Sequence, residues 1–342
     1  MIFDSAATRP LIFGCRGLEL TAEERDFFAA VRPFGFILFA RNVAAPAQIK
    51  TLVAALRATV PHHAPILIDQ EGGRVARLKG DLAHDLPPMA QIGALYRNDS
   101  ETGLEAARLI GGLLAHDLSL YGIDVDCVPV LDVPAEGSHK VIGDRAFSRD
   151  PETVSVLGKA LANALMAGGV LPVIKHIPGH GRASADSHLD LPIVDVGRDV
   201  LETCDFLPFR ALAMLPMAMT GHVVYSAIDR ELPATWSHAV ISSVIRGFIG
   251  FDGLLMTDDL SMKALEGAFA ERTTRSLHAG CDVVLHCNGE ISEMRGVVEA
   301  DPRFDAGGAR RARRILEARS HSAFDAGAAW SRLRRLLPER AA

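Results

Sequence analysis

Eight short apolar runs, each cut off by charged residues or glycine and followed by a stretch of helical spacing, restrict this chain more than any other feature. They lie at 11–13, 36–39, 66–68, 125–130, 170–174, 217–220, 254–257 and 281–285. Runs this short and this apolar fit strands buried on both faces, which is the pattern of a parallel sheet. Between them, residues 46–58 carry Ile49, Leu52, Val53 and Leu56 at helical spacing. Residues 101–120, 199–213, 238–248, 261–278 and 292–300 show similar periodicity, and 151–167 follows Asp150, an N-cap residue, with proline at the first helical position. Strands alternating with helices imply crossover connections, and eight of them favour an α/β fold closed as a single (β/α)8 TIM-type barrel. In such a barrel the C-terminal ends of the strands form the active face. An open doubly wound sheet would gather polar residues only near a switch point. Here they recur at strand end after strand end: Arg41-Asn42, Asp69 to Arg74, Asp132, Lys175-His176, His222, Asp258-Asp259 and His286 to Asn288.

No Gly/Ser-rich linker, composition shift or internal repeat divides the 342 residues, and only about 55 follow the eighth run, too few for another ordinary domain. The expectation is one domain over 1–342, with C-terminal helices at about 305–340. That tail is rich in alanine and arginine, and its arginines fit the solvated face of packing helices better than a nucleic-acid footprint. The formal charge of −6 gives no reason to expect nucleic acid or an anionic membrane as partner. The N-terminus lacks a basic stretch leading into a long apolar one, and no apolar run approaches the length of a membrane span, so a soluble cytoplasmic protein is expected. Five scattered cysteines without a CxxC read as free thiols of a reducing compartment.

The most unusual stretch follows the fifth run: I-K-H-I-P-G-H-G-R-A-S-A-D-S-H-L-D-L-P at 174–192. A glycine-bearing loop of this length between a strand and a helix is more often functional than idle. Within it, Asp186 stands two residues from His188. A carboxylate so placed can bond one ring nitrogen and leave the other as a general acid or base, although a solvated turn explains the same pattern. Asp258 closes the seventh run and is open to four readings: nucleophile, general base, metal ligand or helix cap. Adjacent strand residues face opposite sides, so Asp258 and Asp259 should do different jobs. Asp69, Glu71, Arg74, Arg77, Arg145, Lys175, His176 and His222 form a set suited to a hydroxyl-rich ligand. Singly, each has an ordinary structural explanation: Arg74 can start a helix, and His222 can be a satisfied core histidine. Gly72-Gly73 lacks the context of a phosphate loop.

Taken in order, these stretches resemble glycoside hydrolase family 3, in particular its bacterial single-domain β-N-acetylhexosaminidases. The resemblance rests on D-Q-E-G-G-R-V-A-R (69–77), G-D-R-A-F (143–147), K-H-I-P-G-H-G (175–181), A-D-S-H (185–188), G-H-V-V-Y (221–225) and D-D-L-S-M (258–262). Ile177 stands where the family often has phenylalanine, and Ala146 where it often has serine. The resemblance implies a retaining exo-β-N-acetylglucosaminidase that removes terminal N-acetylglucosamine from anhydro-muropeptides in cell-wall recycling. Asp258 would be the nucleophile, and His188 with Asp186 the acid/base dyad. Asp69, Arg77, Arg145, Lys175 and His176 would hold the terminal sugar. Two-domain relatives draw their acid/base from a second domain, so in this chain the 174–192 loop would have to supply it. No metal or cofactor is implied, the partner is a small carbohydrate, and a monomer is expected.

Four rivals stand beside that reading. In substrate-assisted catalysis Asp258-Asp259 would act with the 2-acetamido oxygen as the nucleophile. A metal-dependent barrel hydrolase would use His176, His180, His222 and Asp258 as ligands, but Pro178 and Gly179 forbid a regular helix between the first two. A catalytically silent sugar sensor would not need Asp258, Asp186 and His188 together. A phosphorolytic variant stays open, because a histidine acid/base repels an incoming phosphate less than a carboxylate does.

Overall fold

The computed structural model describes residues 3–183, 191–318 and 322–337. All eight apolar runs become strands: β1 Arg9–Gly14, β2 Pro33–Leu38, β3 Ile66–Ile68, β4 Val125–Asp126, β5 Leu171–Ile177, β6 Met217–Thr220, β7 Leu254–Asp259 and β8 Val283–His286. They pair in parallel in chain order, and β8 closes on β1 with Leu11 opposite Val284 and Phe13 opposite His286. The expected (β/α)8 barrel is therefore the fold.

Strand alternation sorts the side chains into two cores. Ile12, Ile37, Leu67, Val173, Met219 and Met256 fill the barrel interior. Their neighbours Phe13, Phe36, Ile68, Ile174, Ala218 and Leu255 point outward beneath the helices. The helices at Pro46–Ala58 and Pro151–Ala167 lie where the spacing puts them, and Asp150 caps the second by accepting the Thr153 N–H at 3.0 Å. Two others lie outside the stretches nominated from the sequence. Ala22–Val31 is set by a capping box in which Thr21 accepts the Glu24 N–H (3.1 Å) and Glu24 accepts the Thr21 N–H (2.9 Å). Met89–Asn98 is the other. The helix expected from 261 begins only at Phe269. Asp259 diverts the chain first, its carboxylate accepting both the Ser261 N–H (3.0 Å) and the Ser261 hydroxyl (2.6 Å). Among the described residues no helix is long and apolar enough to cross a membrane.

The C-terminal helices are more than trimmings. Ala312 and Ile315 of the helix Ala306–Glu317 join the interior cluster together with Phe3 and Phe304. Phe3, Phe34 and Phe304 pack edge to face with centroids 5.8–6.1 Å apart. Arg311 fixes this floor by bonding Asp282 (2.9 Å) and Asp252 (3.0 Å), while Arg246 reaches Asp282 from the other side (2.8 Å). The arginines of the tail that matter most are ion-paired inward. With the floor sealed, the opposite mouth is the open end.

Gly93 ties the shell to that mouth. A Cβ there would collide with the carbonyl oxygen of Phe147, two residues beyond Arg145. Gly93→Ala is expected to destabilise the protein by about 2 kcal/mol or more, as backbone overpacking does. A fall in the thermal midpoint measured by circular dichroism checks this, and an unchanged midpoint contradicts the packing described.

Candidate active site

Strand ends β2, β3, β5 and β7 and the loop around Arg145 enclose a cavity of about 340 Å³ at the open mouth. Its polar lining is Asp69, Glu71, Arg74, Arg77, Arg145, Lys175, His176, Asp258 and Asp259, and its apolar lining includes Phe39, Met219 and Met262. Beyond β3 the chain doubles back so tightly that the Glu71 N–H bonds the Val75 carbonyl (2.9 Å). Gly72 makes this possible, with φ of +98° and a position where a Cβ would lie 2.7 Å from the Pro87 carbonyl. Gln70 then locks the return strand, its side-chain oxygen accepting the N–H groups of Arg77 (2.8 Å) and Leu78 (3.0 Å). Arg77 is aimed into the cavity by this backbone.

A chain of alternating charges crosses the cavity floor. Lys175, at the end of β5, donates to Asp69 at 2.8 Å and to Glu71 at 2.7 Å. Arg77 completes the Asp69 side at 3.1 Å, and Arg145 grips Glu71 with two bonds of 2.8 Å. Burial would raise both carboxyls, but Lys175 with Arg77 holds Asp69 well below its ordinary value, and Lys175 with Arg145 brings Glu71 to about 2. Burial disfavours the Lys175 ammonium, but the same two carboxylates outweigh it and raise the group above its ordinary value. Three cations face two anions, so the floor keeps one net positive charge.

Lys175 and His176 both line the cavity, although successive strand residues ordinarily face opposite sides. The peptide between them is cis, and the pairing with β6 shifts register at this point. His176 is oriented by Asp132, which takes the ring Nδ1–H at 2.7 Å and also accepts the backbone N–H groups of His176 (3.2 Å) and His180 (2.6 Å). Burial opposes ionisation of Asp132, but His176 overrides it and brings the carboxyl to about 2. With Nδ1 committed to Asp132, Nε2 is the ring nitrogen left for a ligand. Phe39 stands under two guanidinium groups, Arg41 at 4.9 Å and Arg77 at 5.3 Å from its centroid.

The two aspartates ending β7 divide their work. The Asp259 carboxylate is committed to Ser261 and to the Cys287 N–H (3.1 Å). Asp258 is half-buried and lines the cavity, one carboxylate oxygen accepting the Asp259 N–H at 2.8 Å. Of the two, Asp258 is the one placed to act on a ligand.

The glycosyl hydrolase family 3 N-terminal domain matches residues 18–317. The chain belongs to glycosyl hydrolase family 3. Relatives of this family 3 protein include the β-hexosaminidase of Alkalilimnicola ehrlichii, 41% identical over 86% of each chain. That of Stenotrophomonas maltophilia is 39% identical over 82% of this chain and 84% of its own. Among solved structures, NagZ from Neisseria gonorrhoeae in complex with N-trifluoroacetyl-D-glucosamine superposes with a TM-score of 0.88 at 33% identity, covering 98% of this chain and 99% of that one.

Of the residues that the sequence nominates in this family 3 chain, Asp69, Arg77, Arg145, Lys175, His176 and Asp258 meet in one cavity. Asp186 and His188 lie outside the described residues. His222 does not line the cavity. It is fully buried, with Nδ1 on the Thr235 hydroxyl (2.7 Å) and Nε2 on the Asp259 carbonyl (3.1 Å), which removes it from any metal-ligand set. Arg74 starts no helix; it ties Asp144 (2.9 Å) and the Val141 carbonyl (2.6 Å) over the mouth. Asp132 is the residue that sequence reasoning undervalued, and its one signal was its place as the first charge after the fourth apolar run.

The acid side of the stability curve should report these carboxylates. Glu71 and Asp132 have folded values near 2 against ordinary values of 4.5 and 3.8. Their contribution is complete above the ordinary values and is lost as pH falls toward 2, since the unfolded chain binds the protons first. Asp132→Asn is expected to lower the thermal midpoint at pH 7 and to flatten its fall between pH 4 and 2. Parallel curves for the two proteins would contradict this account.

Proposed function

We propose that this chain is a retaining exo-β-N-acetylglucosaminidase, working as one domain, that removes terminal N-acetylglucosamine from peptidoglycan-derived anhydro-muropeptides in cell-wall recycling. The observation that carries the reading is Asp258 lining one cavity together with the Lys175–Asp69–Glu71 cluster. Such a cavity suits a chain-terminal sugar. Alternating ammonium, guanidinium and carboxylate groups suit its hydroxyls, offering fixed donors and acceptors away from water. The names of the relatives and the N-acylated glucosamine bound by the Neisseria protein support the same sugar.

In this mechanism an oxygen of the Asp258 carboxylate attacks the anomeric carbon from the side opposite the aglycone. The bond to the aglycone oxygen breaks as His188, paired with Asp186, delivers a proton to it. A water then gives its proton back to His188 and displaces Asp258, freeing the sugar with its configuration retained. Asp69, Arg77, Arg145, Lys175 and His176 hold the ring throughout, and Asp132 keeps His176 in one tautomer.

The test is release of 4-nitrophenol from its β-N-acetylglucosaminide by wild type and Asp258→Ala, with and without phosphate. Turnover in the wild type and none in the variant is the expected result; an equally active Asp258→Ala would sink the nucleophile assignment. A sugar phosphate formed faster with phosphate present would identify phosphorolysis instead of hydrolysis. His188→Ala is expected to lose about a hundredfold or more on poor leaving groups and much less on activated aryl glycosides. Equal losses on both would remove the acid role from His188.

A further inference from the structure

His222 is a fully buried imidazole close behind Asp258 that takes no part in lining the cavity. The backbone after Asp258 is held at several points. The Asp259 carboxylate holds Ser261 and Cys287, and Arg272 donates to the Leu260 carbonyl at 2.6 Å. His222 takes the Asp259 carbonyl itself, at 3.1 Å from Nε2. A carbonyl oxygen only accepts, so Nε2 must carry the proton and Nδ1 is the acceptor nitrogen of the neutral ring. The Thr235 hydroxyl is then the donor to Nδ1, which at 2.7 Å is a closer acceptor than the Gly221 carbonyl at 3.3 Å, and Thr220 lies 2.8 Å from it. Thr235 is placed by the Ala234 N–H bond to the Val223 carbonyl (2.8 Å). The result is a relay from Thr235 through His222 to the Asp259 carbonyl, with Thr220 bonded to Thr235 and with Thr220, Thr235 and His222 all buried.

The relay ends on the residue that orients the reactive carboxylate, because the Asp259 N–H is the group Asp258 accepts at 2.8 Å. We propose that His222 is a positioning residue for Asp258: by holding the Asp259 carbonyl it fixes the backbone of that residue, whose N–H on the preceding peptide the Asp258 carboxylate accepts, and Thr235 fixes the His222 tautomer. The proposal rests on Asp258 being the nucleophile, as argued above. Burial also pushes His222 below the ordinary imidazole value, with Asp258 opposing, which agrees with a neutral ring that donates from one nitrogen only. Packing alone would be met by a leucine of similar reach. Such a residue leaves the Asp259 carbonyl without this donor.

The experiment compares full-length wild type with His222→Leu, His222→Gln and Thr235→Val. It measures the rate of covalent labelling of Asp258 by a fluorinated N-acetylglucosaminide, and separately the affinity for free N-acetylglucosamine. His222→Leu is expected to label about ten- to a hundredfold more slowly while the sugar binds within about twofold of wild type, because misalignment acts on the attack and not on ground-state binding. His222→Gln, which can restore a donor to the carbonyl, should recover most of the rate, and Thr235→Val should lose it severalfold. Wild-type labelling rates in the variants overturn the proposal, and so does a loss of sugar affinity that matches the loss of rate. Should His222→Leu fail to fold, Thr235→Val decides by the same criteria. A wild type that carries no label on Asp258 would instead overturn the nucleophile reading, and the proposal with it.

Discussion

The Lys175 ammonium, buried between Asp69 and Glu71, is the interaction on which the active face depends. It joins the ends of β3 and β5, which are not neighbours in the barrel, because β4 runs between them. Taking that charge out of water is costly, and the cost is offset only because two carboxylates meet it at 2.7–2.8 Å and are themselves met by Arg77 and Arg145. Removing one member leaves its partner charged and unpaired in the interior. The cluster is thus mutually enforcing: each group stays ionised because the others do. It presents a ligand with donors and acceptors that do not need to reorganise.

The barrel supplies the rigidity this requires. Strands sealed below by the helix Ala306–Glu317 and its arginines leave one mouth, and the charged residues crowd there above an interior packed with apolar side chains. Asp132 shows the same logic at smaller scale. One carboxylate accepts from a side chain and from two backbone N–H groups, so the start of the 176–183 segment is set by a single buried anion.

Most of this was legible in the sequence, for identifiable reasons. Strands buried on both faces leave unbroken apolar runs, so all eight could be counted, and parallel pairing places their ends on one face. Six of the eight nominated site residues meet in one cavity because they sit at or just past those ends. What escaped depends on partners far apart in sequence. Nothing around Asp132 announces that it will lie against His176, 44 residues on. His222 stood in the ligand-binding set with the reading of a satisfied core histidine beside it, and only the positions of Thr235 and the Asp259 carbonyl decide for the core. The helix expected from 261 failed because periodicity cannot register an aspartate that prefers its neighbour's hydroxyl to a helical turn.

The closing of β8 on β1 carries a consequence for how the protein is made. Leu11 finds Val284 only after nearly the whole chain has left the ribosome, and Ile315, which helps seal the floor, comes later still. Until then the interior face of every earlier strand lacks its final cover, so the shell helices can form early while the barrel itself cannot be completed piecemeal. The buried charges at the mouth share this schedule, since their low-water surroundings exist only once the ring is shut. Catalytic chemistry and chain completion are therefore coupled: a truncated product would keep the functional residues and lack the interior that makes them chemically unusual.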